Sequence, residues 1–366
     1  MGFSFKFTDD DIDIDIENET VVNGGGGGDG DFINPLDDVT IDNSCKFHSL
    51  NSILDELIGT RLTYNRIDNL PNGCELYKRE LYDVKHQLML EDDTTTSTST
   101  TSTTSTDEMF KILIGEDDVD LKNGVYEGGL KSWECSNDMI WKLNDLINED
   151  LIDLSNLNLV ELGCGTSIPS LFIFEKLIKL KKTGCKLLLT DYNFEVLRLV
   201  TIPNLLINWC ELHLTKSELI ELQRNPNQDG NYRDGELEIN LNLINSFKRW
   251  LCLNSIEFGF ISGCWGRSFL KLVNQFIPLH DKKLILTSET IYSPPMLKVI
   301  SELLIELTNY ITILTAKDIY FGVGGSINEF INYIDFRFKM LGDEKKLCFE
   351  LEKINSNLQR SIVILK

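Results

Sequence analysis

Leu157-Asn158-Leu159-Val160-Glu161-Leu162-Gly163-Cys164-Gly165-Thr166-Ser167-Ile168-Pro169 is the stretch on which the fold turns. A largely apolar run reaches an acid, Glu161, and then two glycines one residue apart, Gly163 and Gly165. Apolar residues at roughly helical spacing follow: Ile168, Leu171, Phe172, Phe174, Leu177 and Ile178. The pattern predicts a buried strand, a tight turn and a helix. Glycines let the backbone come close to a nucleotide-like ligand, and a helix N-terminus presents free N–H groups.

Such a turn also serves plain strand–helix packing, so a second sign is needed. Leu187-Leu188-Leu189-Thr190-Asp191 supplies it: another apolar run ends in an acid about one βαβ unit downstream. An acid in that place can accept hydrogen bonds from ribose hydroxyls. A dinucleotide turn would carry a third glycine three residues after Gly165, so that the helix packs close under the pyrophosphate. This chain has Ile168 there, followed by Pro169. S-adenosylmethionine has no phosphate and does not need that glycine, so the missing residue favours it over NAD.

From Asp107 onward the apolar pattern alternates. Strands are expected over 158–162, 186–190, 256–262, 283–288 and 311–316, with helices at 168–181, 193–208, 267–276, 296–308 and 326–339. Two last strands, 346–352 and 361–365, have no long helix between them and suit antiparallel pairing. Five β–α units and a terminal hairpin predict an α/β fold: a Rossmann-like, seven-stranded class I methyltransferase sheet with helices on both faces.

Upstream, residues 1–44 hold twelve acids and one lysine, half of the net charge of −22, and include five consecutive glycines from Gly24. They are expected to form a disordered acidic tail. Residues 45–93 read as a small N-terminal appendage with some apolar periodicity. Residues 94–106, which are all Thr or Ser, read as a linker, leaving 107–366 as the methyltransferase domain. Arg224 to Glu236 reads as a surface loop. An acidic chain is repelled by nucleic-acid phosphates and drawn to basic proteins, so a basic protein is the expected partner. No apolar run of about 18 residues suggests a membrane span, and the start does not read as a secretory signal. Nine cysteines without C-x-x-C pairs fit reduced thiols in the cytoplasm or nucleus, and no Cys/His cluster suggests a metal.

Ligands of an open parallel sheet bind beyond the carboxyl ends of its strands. Gly163 to Gly165, Asp191-Tyr192-Asn193, Ser262-Gly263-Cys264-Trp265 and Ser288-Glu289-Thr290-Ile291-Tyr292 therefore converge on one crevice. Trp265 either walls an adenine or simply packs. Glu289 and Tyr292 stand where reacting groups belong, although Glu289 also suits a helix first turn. The segment from Gly124 to Asp138, with two adjacent glycines, two aromatics and three acids, reads as a loop over a ligand or over the sheet edge.

These segments together resemble a known family. Tyr126-Glu127-Gly128-Gly129-Leu130-Lys131-x-Trp133-Glu134-Cys135-x-x-Asp138, Glu161-Leu162-Gly163-Cys164-Gly165, Asp191-Tyr192-Asn193, Leu286 to Tyr292 and Tyr320-Phe321-Gly322-Val323-Gly324-Gly325 are similar to the protein-histidine N-methyltransferases. The glycine turn is shared by class I methyltransferases at large; the other segments are more specific. The resemblance covers roughly residues 107–366. It implies S-adenosylmethionine as methyl donor and a histidine of a large-subunit ribosomal protein as acceptor. It also implies cofactor contacts from Trp133, Glu134, Cys135, Ser136, Gly163, Asp191, Tyr192, Asn193, Gly263, Cys264, Trp265 and Ser288, beside Glu161 and Gly165, which the strand and glycine turn already offer as cofactor-binding candidates. Cys264 departs from the family, which tends to carry an acid there, and this puts a side-chain bond to the adenine amine in doubt.

Methyl transfer is an in-line displacement on carbon, so orientation supplies most of the catalysis. Neutral imidazole already offers a lone pair near neutral pH. The protein's task is to accept a hydrogen bond from the second ring N–H, with Glu289, Asp138 and Tyr292 as unranked candidates. Rival readings are a protein-lysine methyltransferase of the same broader group and a non-catalytic ribosome-assembly factor that keeps the fold. The intact Glu161, Gly163, Gly165 and Asp191 argue against the second.

Overall fold

Apolar strands that read as continuous runs, such as Leu187-Leu188-Leu189, can only sit where both faces are covered, and the sheet of this chain satisfies them. A computed structural model describes residues 32–38, 45–95, 127–224, 233–307, 310–342, 349–354 and 358–366. Its strands are β1 (Lys46–Ser49), β2 (Arg61–Arg66), β3 (Tyr77–Arg79), β4 (Asn158–Leu162), β5 (Lys186–Asp191), β6 (Glu236–Glu238), β7 (Glu257–Ser262), β8 (Lys283–Ser288), β9 (Tyr310–Lys317), β10 (Phe349–Ile354) and β11 (Arg360–Leu365).

The large sheet has the order β1-β7-β5-β4-β8-β9-β11-β10. The five strands from β7 to β9 are parallel, and β11 runs antiparallel between β9 and β10. That is the expected sheet with one correction: among the described residues it has eight strands, not seven. The eighth is β1, which adds antiparallel to β7 through Lys46 to Ser49. Its short, half-polar run carries no strand signal of its own and is read only in pairing. Beyond β1, Ile53, Leu54, Leu57 and Leu62 are fully buried in the same core as Phe172 and Leu187. The strands β3-β2-β6 form a second, small sheet.

Within the expected acidic tail, Asn34–Asp38 is ordered: Leu36 is buried among Leu297, Ile300 and Leu304, and Arg267 Nε donates to Asp37 Oδ1 at 2.6 Å. Residues 1–31, 39–44 and 96–126, including Tyr126, lie outside the described residues, as do 225–232 of the expected surface loop.

The helix expected over 193–208 is interrupted. It runs as Phe194–Val196, a π turn over Leu197–Thr201, and then Ile202–His213. Pro203 explains the break, because a proline has no N–H for the carbonyl four residues back and its ring crowds that carbonyl. The carbonyl in question is that of Leu199. Helix Glu134–Asn148, not read from the sequence, begins inside the segment expected to be a loop.

Candidate active site

The crevice expected at the carboxyl ends of the parallel strands is a cavity of about 350 Å³. Trp133, Ser136, Gly163, Gly165, Asp191, Tyr192, Gly263, Cys264, Trp265, Ser288, Glu289 and Tyr292 line it. Five other residues singled out in the sequence do not. Glu134 points its carboxylate outward, 59% exposed and 3.8 Å from Lys317 Nζ. Cys135 lies behind the wall, where its carbonyl accepts from Thr315 Oγ1 at 3.0 Å. Asn193 ties the cavity loop down by accepting from Glu127 N at 3.2 Å. Asp138 is gripped by Arg360, whose Nε donates to Oδ2 at 2.5 Å. Glu161 is buried beneath the glycine turn and accepts from Ser170 Oγ. Burial pushes its carboxyl up to about 8, so the acid is mainly protonated at neutral pH.

Gly163 is required where it stands. Its φ is +67°, and a Cβ there would come 2.7 Å from Thr290 Cγ2 and 3.6 Å from the Trp265 ring. Two residues further, Gly165 N donates to Asp191 Oδ2 at 2.9 Å, and Asn193 N donates to Oδ1 at 3.1 Å. The turn and the acid are thus one hydrogen-bonded unit joining the ends of β4 and β5. Burial pushes the Asp191 carboxyl up to about 6, and the backbone donors hold it from rising further.

On the opposite wall, Tyr292 donates to Glu127 and so joins the two lips of the cavity. Glu289 adopts φ +60°, which takes it out of any helix first turn, and its amide donates to Thr315 O at 2.9 Å. Tyr320 Oη donates to Glu289 Oε2 at 2.5 Å. Glu289 Oε1 is buried with no hydrogen-bond partner, and Lys317 Nζ stands 3.9 Å from it. The same ammonium lies 5.2 Å from the centre of the Trp133 ring. Gly325 is pressed against the Ile291 and Tyr292 backbone so closely that no Cβ fits, and its neighbour Gly324 adopts φ +92°, which together explain the Gly324-Gly325 pair. Gly325 N donates to Tyr292 O at 2.9 Å.

The lining chemistry discriminates among ligands. Among the described lining residues, three are acids, Glu127, Asp191 and Glu289, and one is a cation, Lys131. Such a wall repels a pyrophosphate and suits a cationic, phosphate-free nucleoside. Trp265 Nε1, like Glu289 Oε1, is a buried polar atom without a partner, and such atoms mark where a ligand completes the pairing.

Against curated proteins, this chain is 39% identical to histidine protein methyltransferase 1 of Saccharomyces cerevisiae, over 92% of this chain and 89% of that one. The chain belongs to the histidine protein methyltransferase 1 family. The family's Schizosaccharomyces pombe protein is 34% identical over 90% of this chain and 86% of its own length. A Bos taurus homolog is 29% identical over 67% of this chain. No family model matches. Among solved structures, a precorrin-6Y C5,15-methyltransferase from Geobacter metallireducens is 8% identical with a TM-score of 0.31, covering 62% of this chain and 87% of that one. That likeness is too distant to bear on function.

Sequence reasoning missed Thr166, Ser293, Pro295, Met296 and Val299 as lining residues, and gave no individual role to Glu127, Gly129 or Lys131. Glu127 had a signal, standing beside Gly128-Gly129. The apolar ones had none, since their patterning is that of any helix start.

Proposed function

We propose that this chain is an S-adenosylmethionine-dependent protein-histidine N-methyltransferase. Membership of the histidine protein methyltransferase 1 family carries the reading, and the cavity supports it. The cofactor supplies a methyl group already activated by a sulfonium. Asp191 would hold the ribose hydroxyls, Gly163 and Gly165 admit the nucleoside, and Trp265, Tyr192 and Cys264 wall the adenine side. Trp133, Ser136 and Ser288 would bound the amino-acid end.

Of the three candidates for orienting the acceptor ring, Asp138 is set aside, because its carboxylate is committed to Arg360 outside the cavity. Glu289 is the acid for the task. One of its oxygens is fixed by Tyr320 and the other lacks a donor, which the second ring N–H would supply. Accepting that proton's hydrogen bond fixes the tautomer, aims the bare nitrogen at the methyl carbon and offsets the positive charge that develops on the ring. Tyr292 and Glu127 close the mouth beside it.

The acceptor in this reading lies in a basic protein of the large ribosomal subunit, and the site of action is the cytoplasm, with the nucleus. A net charge of −22 favours such a partner, and eight described cysteines that are all free thiols favour a reducing compartment. The rival reading, a protein-lysine methyltransferase of the same broader group, would use the same acid-x-x-Tyr segment, Glu289 to Tyr292. A peptide in which the target histidine is replaced by lysine separates the two: transfer to it should be lost, because a flexible ammonium cannot reproduce a planar ring held by its second nitrogen.

A further inference from the structure

We propose that Arg79, far from the cavity in sequence and absent from its lining, is a positioning residue that sets both loops of the cofactor site by capping the π turn at Leu197–Thr201. The inference rests on the cavity being the cofactor site. Pro203 leaves the Leu199 carbonyl without its helical donor, and Arg79 Nη1 supplies one at 2.8 Å. The guanidinium is itself held on its other edges, Nε donating to Asp83 Oδ2 at 2.6 Å and Nη2 to Gln87 Oε1 at 2.7 Å. Gln87 passes the contact on to Glu91, which takes both terminal nitrogens of Arg198 within the π turn. A buried fork with every edge engaged is costly to assemble and fixes geometry strongly.

Two routes lead from this clamp to the cavity. The first starts at the Arg79 main chain, which the clamped side chain holds in place: the Arg79 amide donates to Asn204 Oδ1 at 2.7 Å, and the buried Asn204 Nδ2 donates to Thr166 O at 3.0 Å. At the end of the π turn, Thr201 Oγ1 donates to Gly165 O at 2.7 Å. The glycine turn is therefore held from below by two side chains whose helix the clamp fixes. The second route is apolar. Val84 and Leu88 of helix Leu81–Thr95 pack with Val196, Leu199 and Val200 around Leu130, which sits in the middle of the cavity loop Glu127–Trp133. A π turn in this place is the device that aims Thr201 and Asn204 together at one loop.

The test compares the full chain with its Arg79→Met and Thr201→Val variants. It reads amide hydrogen exchange at 127–133 and 163–166, together with affinity for S-adenosylhomocysteine well below the unfolding temperature. Val363→Ala in β11 serves as a variant destabilised elsewhere. Arg79→Met is expected to speed exchange in both segments and weaken the ligand about tenfold or more, with Thr201→Val moving the same way. Exchange and affinity that merely match those of Val363→Ala would overturn the inference. Should Arg79→Met fail to fold, Thr201→Val decides. Should the unaltered chain not bind the ligand, the cofactor reading fails, and exchange alone judges the clamp.

Discussion

Tyr320 Oη lies 2.5 Å from Glu289 Oε2, and the Lys317 amide donates to the same phenol oxygen at 3.3 Å. The residue that opens the Tyr-Phe-Gly-Val-Gly-Gly segment therefore fixes the acid of the Glu-Thr-Ile-Tyr segment, and two motifs separate in sequence act as one device. Removing the Glu289 charge by Glu289→Gln should lower the methylation turnover by about 10²-fold. Affinity for S-adenosylhomocysteine should stay within about twofold, because Glu289 faces the acceptor. Single-turnover rates and calorimetry check the split. A loss of cofactor affinity with turnover intact would place the acid at the wrong end of the cavity.

Asp191→Ala should weaken cofactor binding by about 1.5–3 kcal/mol, the usual cost of losing a hydrogen bond to a charged group. Gly163→Arg should abolish binding, since even a Cβ at that residue meets Thr290. Unchanged affinity in both variants, measured by calorimetry, would mean that the nucleoside sits elsewhere.

The Asp191 carboxyl, raised to about 6 by burial, gives cofactor binding a pH dependence. Its ionised form is the stronger acceptor for ribose hydroxyls, so affinity should be level above about pH 7 and fall as pH drops through about 6. Asp191→Asn should be weaker throughout but flat across the same range. Titrating S-adenosylhomocysteine, with no acceptor present, isolates this ionisation from that of the imidazole.

Glu161 behaves in the opposite sense toward stability. Its folded carboxyl is raised to about 8 from 4.5, so its contribution is fully present below about pH 4.5 and lost as pH rises through about 8. Glu161→Gln, which keeps a partner for Ser170 without the charge, should flatten the fall in stability across that window. Denaturant unfolding at pH 5, 7 and 8.5 checks it; an unaltered slope would show that the acid ionises freely in the core.

The parallel sheet was legible because its strands are buried on both faces and so read as apolar runs, as in Leu187 to Leu189. The glycine turn and Asp191 were legible for the same reason, each marking where such a run stops. β1 was not, because Lys46-Phe47-His48-Ser49 has no periodicity and gains its place only by pairing with β7. Nor was the division of labour among the acids. Asp138 and Glu289 look equivalent as letters, and only the Arg360 side chain, 222 residues from Asp138, removes one from the site. The role of Arg79 was equally hidden, since it depends on a carbonyl orphaned by Pro203 in a distant helix.

The identity of the acceptor is open to direct measurement. The chain is incubated with methyl-labelled S-adenosylmethionine and a ribosomal extract, and the label is located by mass spectrometry. The expected result is label on a histidine imidazole of a large-subunit ribosomal protein, lost with Glu289→Gln and with Gly163→Arg. Label on lysine alone, with histidine unmodified, would contradict it.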